Sequence, residues 1–471
     1  MTPVQTTKMS NFRWVICGLL FLATTVNYLD RQVLSLTWKD FIAPEFHWTD
    51  KHYGLIVALF SIFYAIANLF AGKFIDWMGT KKGYLIAIFV WSVGACMHAA
   101  CGWTAIGLAG GSITALTTIS MWLFISCRLI LAVGEAGNFP AAIKVTAEYF
   151  PKKDRAFSTS IFNSGASVGA LAAPVTIPLL ASVWGWEMAF IIIGALGFFW
   201  MGLWMWLYEK PAQNNRVNQA ELNYIEQDND IANVQDRENV VEEKTIPFLD
   251  CFKFKQTWSF IVGKFMTDGV WWFFLFWAPA YFKDQYNYTS DSPMSMILLF
   301  TLYAIVTVVS IGGGYLPTYF VEKKGMNPYL GRMRAMLIFA CLPLLGLLAQ
   351  PLGSISPWWP AILIGLLGAG HQAWSANLYS TIGDMFPKST IGTITGIGTM
   401  AGGLASFAIN YCSGEFFDWA ADQGSAYTFF GFEGKPAAYM VVFCICAVAY
   451  LIGWCIMKTL VPKYKPIVIK D

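Results

Sequence analysis

Long apolar runs of about 20 residues recur along the whole chain and are separated by short polar stretches. A helix of that length crosses the hydrocarbon core of a lipid bilayer. The pattern therefore predicts an all-α membrane protein with twelve transmembrane helices, over residues 14–36, 53–75, 84–103, 114–139, 156–182, 188–208, 258–282, 294–320, 334–351, 358–383, 390–416 and 437–460.

One polar stretch near the middle of the chain is much longer than the others. Residues 209–257 are rich in Glu, Asp, Asn and Gln, and Leu222 with Ile225 indicates a short surface helix within them. We interpret this stretch as a cytoplasmic linker. It joins an N-terminal six-helix half, residues 1–208, to a C-terminal six-helix half, residues 258–471.

An internal repeat supports this division into two halves. Residues 148–152 read EYFPK and residues 384–388 read DMFPK, an offset of 236 positions. At the same offset, NSGASVGA from Asn163 aligns with TMAGGLAS from Thr399. Parallel six-helix repeats of this kind are typical of one large class of secondary transporters.

The distribution of basic residues predicts the orientation in the membrane. If both termini are cytoplasmic, the outer loops keep only four of the 31 Lys and Arg residues, namely Lys39, Lys51, Lys283 and Lys435. Cytoplasmic loops carry the excess of positive charge in membrane proteins, so this orientation is the expected one.

Composition excludes several classes of function. The chain is 56% hydrophobic and 13% charged, against roughly 25% charged residues in soluble domains. Its net charge is +2 without a clustered basic face, so we expect no nucleic-acid partner. Most of the ten cysteines lie within apolar runs without a CxxC pair, which favours buried thiols over disulfides or a metal site. No Walker lysine or catalytic constellation is present, so we expect neither an ATP-driven pump nor an enzyme, and no cofactor.

Two adjacent charges, Asp30 and Arg31, lie within the first predicted span. A lone charge at mid-bilayer costs roughly 2.5–3.5 kcal/mol on insertion scales, and such residues typically face a cavity or a partner. Neighbouring residues on a helix point about 100° apart. Asp30 is therefore free to take a partner from another helix while Arg31 faces an anionic ligand. The alternative is a structural ion pair that fixes helix packing.

The fourth span repeats the theme in RLILAVGE, residues 128–135. Arg128 and Glu135 are two helical turns apart and share one face, roughly 10 Å from each other. A carboxylate in a low-dielectric cavity can change its protonation as the cavity opens to either side. We therefore take Asp30 and Glu135 as proton-coupling candidates and Arg128 as the residue that holds one of them ionised. The alternative is a packing salt bridge.

The second half carries a different polar set. Lys264 and Asp268 are four residues apart and are spaced to pair with each other. The aromatic run 271–274 is typical of core or lipid-interface residues. His371 takes the place of Glu135 in the repeat and is either a cavity residue or a satisfied core histidine. The polar cavity that we expect for hydroxyl-rich ligands would be lined by His371, Gln372, Trp374, Asn377 and Tyr379.

Several motifs resemble a known transporter family. GKFIDWMGTKK, residues 72–82, resembles the loop between the second and third helices of the major facilitator superfamily, with Trp77 where Arg is usual. The chain also resembles the anion:cation symporters of that superfamily, and among them the hexuronate transporters, although Gly269 stands where Pro is common. The motifs that carry this likeness are NYLDR (27–31), RLILAVGEAGNFPAAIK (128–144), EYFPKKDR (148–155), KFMTDGVWWFFLFW (264–277) and HQAWSAN (371–377).

The resemblance implies roles for individual residues. In related galactonate symporters, the acids that match Asp30 and Glu135 take up protons, and the Arg that matches Arg128 pairs with them. The residues that match Arg31 and Tyr28 contact the substrate there. Together with the candidates suggested by the sequence alone, the predicted substrate contacts are Tyr28, Arg31, Tyr64, Asn163, Lys264, His371, Gln372, Trp374, Asn377, Tyr379 and Thr399.

The resemblance further implies uptake of a sugar-acid anion with protons by alternating access, in the bacterial cytoplasmic (inner) membrane. A hexuronate such as glucuronate or galacturonate is the expected cargo, and an aldonate such as galactonate or a sialic acid is the alternative. A proton-coupled exporter is a third hypothesis, against which Arg31 and Arg128 argue. The predicted partners are the sugar acid, protons and the lipid bilayer, and we expect a monomer.

Overall fold

The computed structural model describes residues 9–235, 246–387 and 390–467, and nearly all of them are helical. Part of the predicted linker, residues 236–245, lies outside the described residues. The first half and the linker contain α1 (Phe12–Thr37), α2 (Ala43–Phe46), α3 (Asp50–Met78), α4 (Thr80–Met97), α5 (Cys101–Ala109), α6 (Ile113–Glu135), α7 (Asn138–Tyr149), α8 (Lys152–Trp184), α9 (Trp186–Leu207) and α10 (Gln219–Gln235).

In its described residues, the second half contains seven α-helices and a small hairpin. The helices are α11 (Lys255–Tyr286), α12 (Pro293–Glu322), α13 (Pro328–Cys341), α14 (Ala349–Gly353), α15 (Trp358–Met385), α16 (Ile391–Gln423) and α17 (Gly434–Leu460). The hairpin pairs β1 (Thr428–Phe429) antiparallel with β2 (Phe432–Glu433), with Thr428 opposite Glu433. A π-helical turn, Trp38–Ile42, joins α1 to α2, and 3₁₀ turns join α4 to α5 and α13 to α14.

Ten helical segments of the described chain are long and apolar enough to cross a membrane. Two further helices, α11 and α15, have 32 and 28 residues and complete the predicted twelve. These two carry most of the polar candidates of the second half, which lowers their hydropathy. The predicted third span, 84–103, is longer than expected, because α4 and α5 continue through a 3₁₀ turn from Thr80 to Ala109.

Close helix contacts are made where small residues replace large ones. In the first half α1 packs against α8, and in the second half α11 packs against α16. A Cβ atom added at Gly169 of α8 would lie 2.6 Å from the carbonyl oxygen of Thr25 in α1. Such small-residue contacts let two backbones approach each other within a membrane. Across the interface between the halves, α3 packs on α16, α8 on α12, and α1 on α11.

Ion pairs join the two halves at the end of the bundle opposite the chain termini, which we call the distal end. Lys39 Nζ lies 2.6 Å from Asp50 Oδ1 and 3.3 Å from Asp284 Oδ1, and Lys435 Nζ lies 2.6 Å from Asp284 Oδ2 and also pairs with Asp50. The four residues form a ring of alternating charge, which we call the distal ring. Among the described residues, every ion pair that crosses between the halves lies at this end.

The predicted surface helix around Ile225 is present as α10 and docks on the start of α1. The Glu221 carboxylate accepts hydrogen bonds from the backbone N–H groups of Phe12 (2.9 Å) and Arg13 (3.1 Å) and from Arg13 Nη1 (3.0 Å). An anionic group is favourable at a helix N-terminus, where backbone donors lack partners. The first part of the linker is therefore attached to the N-terminal half.

Candidate functional site

The central feature of the interface is an ion pair between Arg31 of α1 and Glu135, the last residue of α6. Arg31 Nε and Nη2 lie 3.0 and 2.8 Å from the same oxygen, Glu135 Oε2. The two residues are 3% and 1% exposed. The pair brings together two candidates that are 104 positions apart in the sequence.

Three aromatic rings surround the Arg31 guanidinium. Its Cζ atom lies 5.1 Å from the ring centre of Tyr28, 4.7 Å from that of Tyr64 and 5.1 Å from that of Trp272. Within about 6 Å, an aromatic face attracts a cation electrostatically. Tyr28 and Tyr64 belong to the first half, whereas Trp272 comes from α11 of the second half. The cation is therefore enclosed by both halves at once.

Trp272 is a site residue that the sequence analysis missed. It belongs to the aromatic run interpreted as core or lipid-interface material. A usable signal was its spacing from Lys264 and Asp268, because positions 264, 268 and 272 lie on one side of a helix. Trp272 also contacts Tyr64, with ring centres 5.9 Å apart.

Asp30 and Arg128 lie beside the ion pair. Asp30 is 1% exposed, and neither of its carboxylate oxygens has a hydrogen-bond partner among the described residues. Glu135 and Arg128 are within electrostatic reach of it, and the indole N–H of Trp91 lies close by but outside hydrogen-bonding geometry. Arg128 donates a long hydrogen bond of 3.4 Å to the carbonyl oxygen of Arg31. Arg128 is thus within electrostatic reach of both candidate acids, and the direct partner of Glu135 is Arg31.

A second ion pair lies in the other half, on α11. Lys264 Nζ is 2.6 Å from Asp268 Oδ2, so the local pairing suggested by the spacing is present. Lys264 also lies 4.8 Å from the ring centre of Tyr379 on α15. The other oxygen, Asp268 Oδ1, is buried and has no hydrogen-bond partner within the described part of the chain. Asp268 packs against α16 at Gly402, where a side chain would collide with it.

The histidine of the second half faces its own helix bundle. His371 Nδ1 lies 2.8 Å from the Tyr450 hydroxyl, and the imidazole stacks on Trp271 with ring centres 5.5 Å apart. Trp374 is fully buried against Tyr450. These contacts match the satisfied core histidine of the two interpretations given above, and they place His371 and Trp374 away from Arg31.

The remaining candidates make no direct contact with the Arg31–Glu135 pair among the contacts found for the described residues. Asn377 is buried and donates 2.8 Å to Ala373 O within its own helix, and Thr399 donates 3.0 Å to Thr395 O. Gln372 is half-buried, and Asn163 is exposed on α8.

The structure therefore brings the first-half candidates other than Asn163 into one cluster, with Tyr379 at its edge. Tyr379 is 37% exposed and lies within electrostatic range of Tyr28. The arrangement supplies a fixed cation, an acid that neutralises it, and aromatic faces from both halves. Such a site can exchange one anion for another without creating an unpaired charge. Among the described residues, no group of three or more His, Cys, Asp or Glu is placed to bind a metal ion.

Comparison with known proteins finds bacterial transporters that are similar in sequence to this chain. The hexuronate transporter of Escherichia coli K12 is 27% identical over 403 residues, which are 85% of this chain and 86% of the relative. The galacturonate transporter of Dickeya chrysanthemi is 24% identical over 353 residues, 74% of this chain and 95% of the relative. A probable galactarate/D-glucarate transporter of E. coli K12 is 25% identical over 441 residues, 92% of this chain and 94% of the relative.

The fold is that of solved transporters. A bacterial homolog of the human lysosomal transporter Spinster, in an inward-facing and unoccupied conformation, superposes with a TM-score of 0.69 at 16% identity over 95% of this chain and 98% of that one. The Major Facilitator Superfamily model matches residues 20–409. The chain is therefore an integral membrane protein with twelve transmembrane helices and belongs to the Major Facilitator Superfamily of transporters.

Proposed function

We propose that the protein imports a sugar-acid anion together with protons by alternating access. The observation that carries this proposal is the buried Arg31–Glu135 pair, enclosed by aromatic rings from both halves. The relatives that transport hexuronate, galacturonate and galactarate or D-glucarate support a sugar acid as the cargo. A hexuronate is the simplest such cargo, and an aldonate or a sialic acid uses the same machinery.

Competition for Arg31 couples the anion to a proton. When Glu135 is ionised, it occupies the guanidinium through both Nε and Nη2. When Glu135 takes up a proton, the guanidinium loses its counter-ion and a substrate carboxylate replaces it. A buried charge without a partner costs several kcal/mol, so loading of the proton and loading of the anion favour each other.

Asp30 is the second proton-coupling acid in this proposal. It is buried one residue from Arg31 without a hydrogen-bond partner among the described residues. Bringing one negative charge into a negative interior costs about 2.3 kcal/mol per 100 mV of membrane potential. One co-transported proton cancels that cost, and a second lets the potential drive uptake. Two separate acids supply the capacity for either stoichiometry.

Alternating access requires that the two halves rock about the site. Their predicted boundaries are residues 1–208 and residues 258–471. With both termini cytoplasmic, the distal ring lies on the outer side. Its ion pairs hold the halves together there, so the ring must open before cargo enters from outside. The aromatic contact between Trp272 and Arg31 must part in the same movement.

Reconstituted protein in liposomes tests the proposal. With labelled galacturonate or glucuronate outside and an inward proton gradient, we expect accumulation above the equilibrium level. A protonophore should abolish accumulation while counterflow exchange continues. Equal equilibration with and without the gradient would refute proton coupling. Competition by a panel of hexuronates, aldonates and sialic acid ranks the cargoes, and failure of every sugar acid to compete would refute the cargo class.

A further inference from the structure

Each half of the protein holds one buried cation that is neutralised by one acid. In the first half the pair is Arg31 with Glu135 at 2.8 Å, and in the second half it is Lys264 with Asp268 at 2.6 Å. Arg31 lies on α1 and Lys264 on α11, the first helices of their halves. Since α1 packs on α8 and α11 on α16 in the same way, the two cations lie on equivalent helices of the repeat, although Glu135 holds Arg31 from another helix and Asp268 holds Lys264 from the same one.

Aromatic residues of the contact between the halves lie beside both cations. Trp272 contacts Arg31 and lies eight residues after Lys264, which is roughly 12 Å along the axis of α11. On the other wall, Tyr379 covers Lys264. Tyr379 is within electrostatic range of Tyr28, which in turn covers Arg31. Each cation is thus covered by a tyrosine ring, and the two tyrosines lie within electrostatic range of each other.

We propose that Lys264 is a second anion-binding position and that the preferred cargo is a sugar acid with a carboxylate at each end. This inference rests on the proposed function and narrows its cargo. The carboxylate carbons of an extended six-carbon diacid are roughly 6 Å apart, across five bonds of about 1.5 Å. Adding about 3–4 Å for a hydrogen-bonded contact at each end gives roughly 13 Å. That length is close to the rise of roughly 12 Å along α11 between Lys264 and Trp272, the residue that contacts Arg31.

Charge balance favours the uptake of two protons with each diacid. One carboxylate replaces Glu135 on Arg31, and the other replaces Asp268 on Lys264. Each displaced acid takes up one proton from the side on which the cargo enters, so the site gains no net charge. Asp268 is suited to release, because it holds Lys264 through Oδ2 while Oδ1 has no hydrogen-bond partner among the described residues.

Three acids of the same configuration test the proposal: galactarate has two carboxylates, whereas galacturonate and galactonate have one each. The dissociation constant of each acid is measured by titration calorimetry on the purified full chain. We expect wild-type protein to bind galactarate at least ten-fold more tightly than galacturonate. In Lys264→Gln that preference should fall to within about three-fold. In Asp268→Asn, which keeps the cation and removes its competitor, the preference should be maintained or increased.

Matched controls separate this role from a structural one. Lys283→Gln removes a lysine of the same helix that pairs with Asp40 at the distal end, and it should keep the wild-type preference for galactarate. A loss of packing would lower binding in Lys264→Gln and Asp268→Asn alike. The proposal instead requires the preference for galactarate to fall in Lys264→Gln and not to fall in Asp268→Asn. Equal binding of galactarate and galacturonate by wild-type protein, or an equal loss of both in Lys264→Gln, would overturn the second position and leave sugar-acid transport intact. Binding of none of the three acids would instead refute the proposed function.

Discussion

Replacing Glu135 with Gln removes the charge of the central ion pair and keeps its shape. The native carboxylate accepts two hydrogen bonds from Arg31, at 2.8 and 3.0 Å, and both residues are buried. Removing one partner of a buried pair costs about 3–5 kcal/mol. The three aromatic faces around Arg31 remain, and each contributes roughly 0.5–2 kcal/mol to holding the cation. We therefore expect a loss near the lower limit, about 3 kcal/mol.

A bound anion should restore much of that loss in the variant. In Glu135→Gln, Arg31 has no competing carboxylate, so a sugar acid supplies the missing counter-ion. Recovery of half of the loss, about 1.4 kcal/mol, corresponds to a ten-fold tighter ligand. Thermal-shift titration with galacturonate measures both effects. We expect a lower melting temperature without ligand and a larger ligand-induced rise than in the wild type. In proteoliposomes, gradient-driven accumulation should fall much more than counterflow exchange.

An exposed pair provides the control. Lys51 and Glu415 lie 3.0 Å apart with side chains 55% and 36% exposed, and surface pairs contribute about 0–1 kcal/mol. Glu415→Gln should therefore change neither the stability nor the response to ligand by a comparable amount. If Glu135→Gln matches the wild type in melting temperature and in ligand response, the ion pair neither stabilises the protein nor competes with a bound anion. Normal accumulation by Glu135→Gln under a proton gradient would remove Glu135 from the coupling mechanism.

Three further predictions concern other contacts. Trp272→Leu should weaken galacturonate binding about three- to ten-fold in calorimetry, because the cation–π contact with Arg31 is lost. The control is Trp271→Leu, which should change binding less than two-fold, because Trp271 faces into the second half. Lys435→Asp should slow uptake strongly by breaking the distal ring. Reversal of all four charges (Lys39→Asp, Asp50→Lys, Asp284→Lys and Lys435→Asp) restores the alternation and should recover uptake; no recovery would show that the ring is not a charge-specific contact. Burial opposes ionisation of Glu221, but hydrogen bonds from the start of α1 outweigh it and lower the pKa of this carboxyl below its ordinary 4.5. The contribution of Glu221 to docking of α10 is therefore complete above about pH 4.5 and is lost as the pH falls through the lowered pKa. Glu221→Gln at neutral pH should remove about 1.5–3 kcal/mol of docking free energy. Both changes should speed hydrogen exchange in α10.

The number and order of the helices followed from the sequence because each apolar run has the length of the bilayer core. Contacts close along the chain were also accessible, and the Lys264–Asp268 pair at i, i+4 is an example. The partner of Arg31 was not accessible. Several buried acids were available to it, and only the positions of α1 and α6 in the folded bundle decide that Glu135 is the one it reaches. For the same reason the contact of Trp272 with Arg31 could not be inferred from a run of aromatic residues.

The charge inventory of the site connects these observations to transport. With its acids ionised, the first-half cluster of Asp30, Arg31, Arg128 and Glu135 is neutral, and so is the Lys264–Asp268 pair. A neutral site lets the empty protein change conformation without carrying net charge across the membrane potential. Moving one net charge across that potential costs about 2.3 kcal/mol per 100 mV. A carboxylate that replaces a protonated acid preserves this neutrality. In the proposed mechanism, acids paired directly with Arg31 and Lys264 therefore let both the loaded and the empty protein change conformation without moving net charge, which cations alone would not allow.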